Sequence, residues 1–482
     1  MTFKPTEEQS AIVSFAQTSD ENLLVSALAG AAKTSTLVLL AEALPEVKIL
    51  CLAFNKKIAS EMQERLPGNC HARTLNSLGH GIWQNAIGRR LRFESSKIYD
   101  ITSAYIEGLH PDEKKVIYPR MADLMNTVRF GKACGFIPEG TPRMKALMRE
   151  AEFFAHLDEK LTPEEEALVI HVTSVSIKQA WAGTCDYDDQ ILMPTLGIGA
   201  FPRYPLILID EAQDLSALNH AMLKKLVVKR IIAVGDACQA IYGFRGAHEE
   251  SMELLKKTFS MTELPLSISF RCPIAVIEAA RWRAPTMRYP DWAIPGEVRR
   301  YTAWDTSDIP DHAAIICRNN APLFRMAITL LKHGRYPELS GNDIGKALLK
   351  VMKKFGASSM KRDAVHQAIA DWKDAQLKKA RKSGVRSIED KAECMGIFAD
   401  VGATLGESIA YAEHLFSSSG PIKCMTGHKS KGLEFDNVFF LDQHLLDTEG
   451  QDRNLKYVII TRAKKFLGYI KTEDFGKEKM VA

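Results

Sequence analysis

The sequence is informative first for what it lacks. Its nine cysteines stand singly between Cys51 and Cys424, with no C-x-x-C pair. That spacing excludes a zinc ribbon or a disulfide framework and fits reduced thiols in a cytosol. No apolar run approaches the roughly 18 residues of a membrane helix. The opening "MTFKPTEEQS" is polar and carries acids, unlike a signal peptide, so a soluble cytoplasmic protein with no membrane partner is expected. Neither sign of charge dominates: 63 Lys and Arg face 59 Asp and Glu, a net charge of +4. Such a balance permits an anionic partner without demanding one. No repeat of 20–50 residues is evident, which argues against solenoids and propellers. The last absence is local. The stretch "VSALAGAAKTSTLVLL", residues 25–40, resembles a phosphate-binding loop, but Ala27 and Ala32 occupy the glycine positions of G-x-x-x-x-G-K-[ST].

What is present is an ordinary globular composition, 46% hydrophobic and 25% charged over 482 residues, enough chain for two to four structural units. Near-continuous apolar runs of strand length occur in two regions. "NLLVSAL", "VKILCLAF", "YPLILID" and "KRIIAVGD" form the first set; "HAAIICR", "IKCMTGH", "NVFFLD" and "KYVIIT" form the second. Runs of this kind suit parallel strands buried on both faces. The fold class expected is therefore α/β, with two parallel-sheet cores and helical insertions. Residues 1–90 and 181–264 would make the first core, interrupted by a helical insertion at 91–180 in which "TPEEEALVIHV" is a good helix start. Residues 265–340 and 421–482 would make the second, interrupted by a reduced, basic helical insertion at 341–420.

A strand, a small-residue turn, Lys33-Thr34 and a helix are the minimum cradle for a phosphate chain. Backbone N–H groups of Ala29, Gly30, Ala31, Ala32, Lys33, Thr34 and Ser35 would face the phosphates. Lys33 would reach the β/γ oxygens, and the Thr34 hydroxyl would ligate Mg²⁺. Alanine keeps most of the room that glycine gives; if Ala32 must adopt positive φ, the penalty is about 1–2 kcal/mol. "LILIDEAQD" supplies the partners. Its apolar run ends in Asp210-Glu211 at the edge of a parallel sheet where ligands bind. Asp210 would hold Mg²⁺, directly or through water, and Glu211 would orient and deprotonate the attacking water. Positive charge on the γ-phosphate is also required, and an arginine supplied across a domain cleft is the usual source, worth roughly 10³–10⁵ in rate elsewhere.

The order of motifs resembles superfamily 1 helicases of the UvrD/Rep/PcrA group, whose cores are RecA-like. "TEEQ", "LAFNKKIASEM", "RTLNSLGHGIW", "VGDACQAIYGFRGA", "LSISFRCP", "TGHKSKGLEFDNVFF" and "YVIITRAKK" carry the resemblance along essentially the whole chain. It implies an ATP-dependent DNA helicase, moving 3′ to 5′ on single-stranded DNA and opening duplexes at single-strand/duplex junctions, with ATP and Mg²⁺ as cofactors. It further implies an adenine-reading Gln9 and a γ-phosphate-sensing Gln239. It also implies that Phe270 stacks on adenine and that Glu434 is a ribose or γ-phosphate-side contact. Arg271 and Arg462 are implied to reach the cleft between the cores. Phe54, Tyr242 and Phe244 would stack on bases, while Thr74, Arg245 and His428 would contact phosphate or sugar. The basic stretch around Lys378, Lys379, Arg381 and Lys382 fits duplex phosphates or a solvated helix face equally. Trp83 is read as packing.

Departures from the family pattern are Asn76 for His, Phe270 for Tyr, Ala32 for Gly, and Ser35 where relatives often carry Arg. The interval between Arg271 and "TGHKSKGLEF" is short, so the second accessory domain is trimmed, as in phage-encoded or minimal members. Nothing past about residue 471 could house a nuclease. Two alternatives stand beside the helicase: a translocase that strips proteins from DNA, and a DNA-binding clamp with impaired ATP turnover.

Overall fold

The structure is a computed structural model that describes residues 4–243, 246–247, 250–340, 342–378 and 382–478. Phe244, Arg245, Lys379 and Arg381 lie outside the described residues, and Lys382 is described in its backbone alone. The chain divides into two compact units, Met1–Ser267 and Ile268–Ala482.

The first unit holds strands β1 (Leu23–Ala27), β2 (Ile49–Leu52), β3 (Cys70–Arg73), β4 (Arg92–Phe93), β5 (Thr184–Cys185), β6 (Tyr204–Ile209), β7 (Val227–Gly235) and β8 (Thr262–Leu266). Six of them form a parallel sheet in the order β3-β2-β6-β7-β1-β8; β4 and β5 pair separately. Alternation explains the sheet. Leu24, Leu50, Leu52, Ile207, Ile209, Ile231 and Ala233 point into one hydrophobic cluster. Leu23, Val25, Ile49, Cys51, Leu206, Leu208, Ile232 and Val234 point into another. A strand apolar on both sides can be stable only with helices over each face, the parallel arrangement that β-α crossovers give.

A helical layer occupies most of residues 97–181. Its helix Pro163–Trp181 starts at Thr162 with a capping box to Glu165 and packs with Lys97–Glu107 and Met121–Cys134 around Phe136, Phe153, Leu168 and Val172. Trp83 is fully buried, and its indole Nε1 donates to the Ala180 carbonyl at 3.2 Å.

The second unit holds β9 (Glu297–Arg300), β10 (Ala314–Cys317), β11 (Pro337–Leu339), β12 (Ile422–Thr426), β13 (Phe435–Leu441) and β14 (Ala463–Ile470), in the parallel order β11-β12-β10-β13-β14-β9. Helices Asn342–Met352, Arg362–Leu377, Lys382–Val401 and Leu405–Ser417 fall between β11 and β12. One expected strand is corrected. "KYVIIT" belongs to the helix Gly450–Ile460, and the strand is the following segment, β14. The β-branched run gave a strand signal because Leu455, Tyr457, Val458, Ile459 and Ile460 are all buried. Burial by tertiary packing outweighs the weak β preference of single residues.

Candidate nucleotide site and nucleic-acid contacts

All strands of the first sheet are parallel, so their C-terminal ends lie along one edge. From the end of β1 comes the 28–34 loop, from β6 Asp210-Glu211, from β7 Asp236. Phe54 follows β2 and Thr74 follows β3. The topology thus gathers residues from five positions far apart in sequence.

The loop closes onto the helix Lys33–Glu42 through Ala32, which caps it at φ 55°, ψ 39°. This is the left-handed region. Gly30 is also at positive φ, 75°. Ala32 is braced: its carbonyl accepts from the Thr36 hydroxyl at 3.1 Å, and that hydroxyl accepts from Gln9 Nε2 at 3.1 Å. Gln9 is wholly buried, and its Oε1 accepts from the Thr6 N–H at 3.0 Å. Both ends of the Gln9 amide are therefore occupied by protein partners. Ala29 and Ala31 are buried, and the Ser35 hydroxyl accepts from Arg65 at 3.2 Å.

Lys33 Nζ stands 3.5 Å from Glu211 Oε1, and Thr34 Oγ1 stands 3.5 Å from Asp210 Oδ2. Asp210 is buried, and its carboxyl is pushed up to about 7 by burial and then by the Glu211 charge, with Lys33 opposing. Glu211 itself sits at φ 53°, a second strained non-glycine residue at the same edge; strain of this kind gathers where function fixes a backbone. A hydrogen-bonded chain runs on from it. Gln213 Nε2 donates to Glu211, Gln213 Oε1 accepts the Asp236 N–H at 2.9 Å, and Asp236 accepts from Gln239 Nε2 at 2.7 Å. A Cβ on Gly235 would come within 2.7 Å of Gln213 Oε1, so glycine is required for this approach. Burial raises the Asp236 carboxyl above its ordinary value.

The oxygen set fits a hard divalent cation. Among the described residues no group of three or more His, Cys, Asp or Glu could hold a metal. Thr34 and Asp210 offer two protein oxygens beside a phosphate cradle, the sparse set with which Mg²⁺ is held when phosphates and water complete its shell.

At the same edge Phe54 is 44% exposed and stacks on Tyr242, with centroids 5.8 Å apart and planes 8° apart. Thr74 caps the helix Leu75–Ile87 by accepting the Ser77 N–H at 3.0 Å. Asn76 donates to the Tyr187 carbonyl at 2.7 Å, and Tyr187 meets Phe93 edge-on, both rings exposed. That pair escaped sequence reasoning, because β4 and β5 are two residues each and neither has a strand pattern.

In the second unit Arg271 Nε bonds Glu434 Oε2 at 2.7 Å. Arg462 is buried; its guanidinium donates to the carbonyls of Val458 at 2.8 Å and Leu433 at 3.1 Å. Phe270 stacks on the exposed Trp292, centroids 6.1 Å apart, and sequence gave no sign of that partner. His428 lies on the short helix Gly427–Ser430 that follows β12.

A lysine, a hydroxyl and two carboxylates around a left-handed loop on the C-terminal edge of a parallel sheet define the class of phosphate-loop nucleotide-binding α/β proteins. Comparison with known proteins narrows it. Residues 9–245 match the AAA domain family and residues 421–468 the UvrD-like helicase C-terminal domain family. The two matches together support a likeness to the UvrD/Rep group of superfamily 1. It is similar to F-box DNA helicase protein 1 of Schizosaccharomyces pombe, 25% identical over 96% of this chain and 57% of that protein. F-box DNA helicase 1 of Gallus gallus is 24% identical over 96% of this chain and 49% of its own length. ATP-dependent DNA helicase Rep of Escherichia coli is 26% identical over 48% of this chain and 35% of its own. The chain thus spans about half the length of the first two relatives. Among the described residues no helix is long and apolar enough to cross a membrane.

Proposed function

We propose that the chain is an ATP-dependent motor on single-stranded DNA, moving 3′ to 5′ and separating duplexes at single-strand/duplex junctions. The observation that carries this is the arrangement of Lys33, Thr34, Asp210 and Glu211 at one sheet edge. In this reading the 29–35 backbone and Lys33 hold the phosphates of ATP. Thr34 and Asp210 hold Mg²⁺, which when bound neutralises phosphate charge. Glu211, kept in place by Gln213, orients water and takes its proton. Gln239, hydrogen-bonded to Asp236, links the γ-phosphate end to the Tyr242 segment three residues on, and Tyr242 stacks on Phe54. That continuity is the physical route by which nucleotide state reaches the aromatic platform for bases. Thr74, Arg245, Phe244 and His428 complete the strand contacts, and Gln9, Phe270 and Glu434 the nucleoside contacts. On their motifs alone, Arg271 and Arg462 are assigned to charge stabilisation at the γ-phosphate. The relatives named as DNA helicases support the substrate and the reaction class.

Phosphate release measured with and without single-stranded DNA tests the motor, with Lys33→Ala as the reference. Stimulation in the wild type and none in the variant is expected; a wild type no faster than Lys33→Ala sinks it. Strand displacement confined to 5′-tailed duplexes would reverse the direction.

A further inference from the structure

A concavity of about 890 Å³ opens in the second unit, well within the size of ligand pockets. It is built where β13, β14 and β9, neighbours in the parallel sheet, reach their C-terminal ends. One face of the helix Gly450–Ile460 completes it with Arg453 and Lys456. Arg300 is the last residue of β9 and pairs in register with Tyr469 of β14. Its guanidinium lies over the Tyr469 ring, 4.2 Å from the centroid. Lys456 lies 4.8 Å and Arg453 5.9 Å from the centre of the Trp282 ring, which is 41% exposed.

The charges are uncompensated. None of the ion pairs among the described residues includes Arg300, Arg453 or Lys456. The two acids at the wall are already engaged: Asp447 with Arg386 at 2.9 Å and Asp474 with Lys477 at 2.6 Å. Burial, and then the neighbouring charge of Arg300, lower the pKa of Lys456. Three cations held on aromatic faces without a counter-charge form a site that gains from any polyanion brought to it.

We propose that this pocket binds the phosphodiester backbone of a single nucleic-acid strand, as an extension of the strand path beyond His428. The assignment rests on the motor reading for the presence of a strand. Cations interleaved with aromatic rings, the exposed Trp282 among them, are the chemistry that single strands use. Place supports it too. His428 follows β12, whose C-terminal end lies on the same sheet edge, three strand positions from β14. At roughly 4.8 Å per strand that is about 14 Å, within the reach of a few nucleotides.

The experiment compares wild type with the double variant Arg300→Ala/Lys456→Ala in the full chain, measuring the affinity of a fluorescein-labelled oligo-dT at several salt concentrations. Basal ATP hydrolysis and the thermal midpoint should be unchanged, since neither residue belongs to the nucleotide site. Two lost phosphate contacts should flatten the slope of log K against log salt by about 1.4. Raising salt from about 50 to about 200 mM would then weaken the variant about 7-fold less than the wild type. Equal slopes with binding intact overturn the pocket alone. Absence of oligonucleotide binding in the wild type overturns both the pocket and the motor reading. Equal slopes, together with capture of a poly-glutamate peptide by wild type and not by the variant, would give the pocket to an acidic peptide instead.

Discussion

Two clusters in the first unit bring lysines and carboxylates together, and they are opposites. In the first, Lys97 Nζ donates to the carbonyls of Ser176 and Thr184 and to Asp189, at 2.7, 2.9 and 2.5 Å. Lys132 Nζ bonds Asp186 and Asp189, both at 2.8 Å, and the two aspartates also accept each other's backbone N–H. Burial alone would raise Asp186, yet Lys132 and Lys97 overcome it and hold the carboxyl down to about 2. In the second cluster, Lys33 is 3.5 Å from Glu211, Asp210 accepts from Thr34 and from the Glu211 N–H, and its carboxyl is pushed up to about 7. A buried network in which both lysines bond carboxylates is a clasp between the helical layer and the core. A buried carboxyl raised by burial and by a second carboxylate beside it gains from a cation brought to it.

The difference can be broken from either side. The largest expected effect is on turnover: Glu211→Gln should lower ATP hydrolysis by 10²-fold or more, the scale of a lost general base, while the folded state is untouched. Steady-state phosphate release with a denaturation control checks it, and near-wild-type turnover would remove Glu211 from the chemistry. The clasp should answer in the other currency. Lys132→Met leaves Asp186 and Asp189 buried beside a single lysine and should cost about 3–5 kcal/mol, read as a fall in the urea midpoint. An unchanged midpoint would mean that the clasp is not holding the helical layer.

A smaller effect separates the clusters by pH. Asp186, held below its unfolded value, contributes stability that is present above about pH 4 and lost as pH falls toward about 2. Asp210, raised above its unfolded value, has the opposite sign: ionising it destabilises the fold as pH rises from about 4 through about 7. Asp210→Asn should therefore be more stable than wild type at pH 8, by about 1–3 kcal/mol, and equal to it only below about pH 4. Thermal midpoints across that range decide the matter; a variant less stable at pH 8 would show that the carboxylate is compensated after all.

Much of the candidate site was legible because its chemistry is local: "VSALAGAAKT" and "LILIDEAQD" each carry strand, turn and functional group within ten residues. The α/β class was legible too, since strands buried on both faces leave unbroken apolar runs. What escaped was non-local. The clasp draws on residues 97, 132, 186 and 189, and no period links them. Asp236 stood in a recognised motif, but its service to Gln213 and Gln239 depends on β7 lying beside β6. "KYVIIT" misled because an apolar run cannot by itself distinguish a buried helix from a strand.

The smallest effect expected is at the alanine that replaces glycine. Ala32 sits at φ 55°, where a Cβ costs about 1–2 kcal/mol. Glycine would relieve that strain but adds freedom to the unfolded chain worth about 0.4–1 kcal/mol, so the two terms nearly cancel. The loop is also held from outside: Gln9 fixes the Thr36 hydroxyl, which fixes the Ala32 carbonyl. Ala32→Gly should therefore leave the thermal midpoint close to that of the wild type and ATP turnover within several-fold of it. With the brace removed in Gln9→Ala, the strain has no support, and Ala32→Gly should then recover part of the turnover that Gln9→Ala loses. A double-mutant cycle in phosphate release measures the coupling. Strict additivity would mean that Gln9 serves the nucleotide and not the loop, and complete loss of turnover in Ala32→Gly alone would show that the alanine is itself required for the cradle's shape.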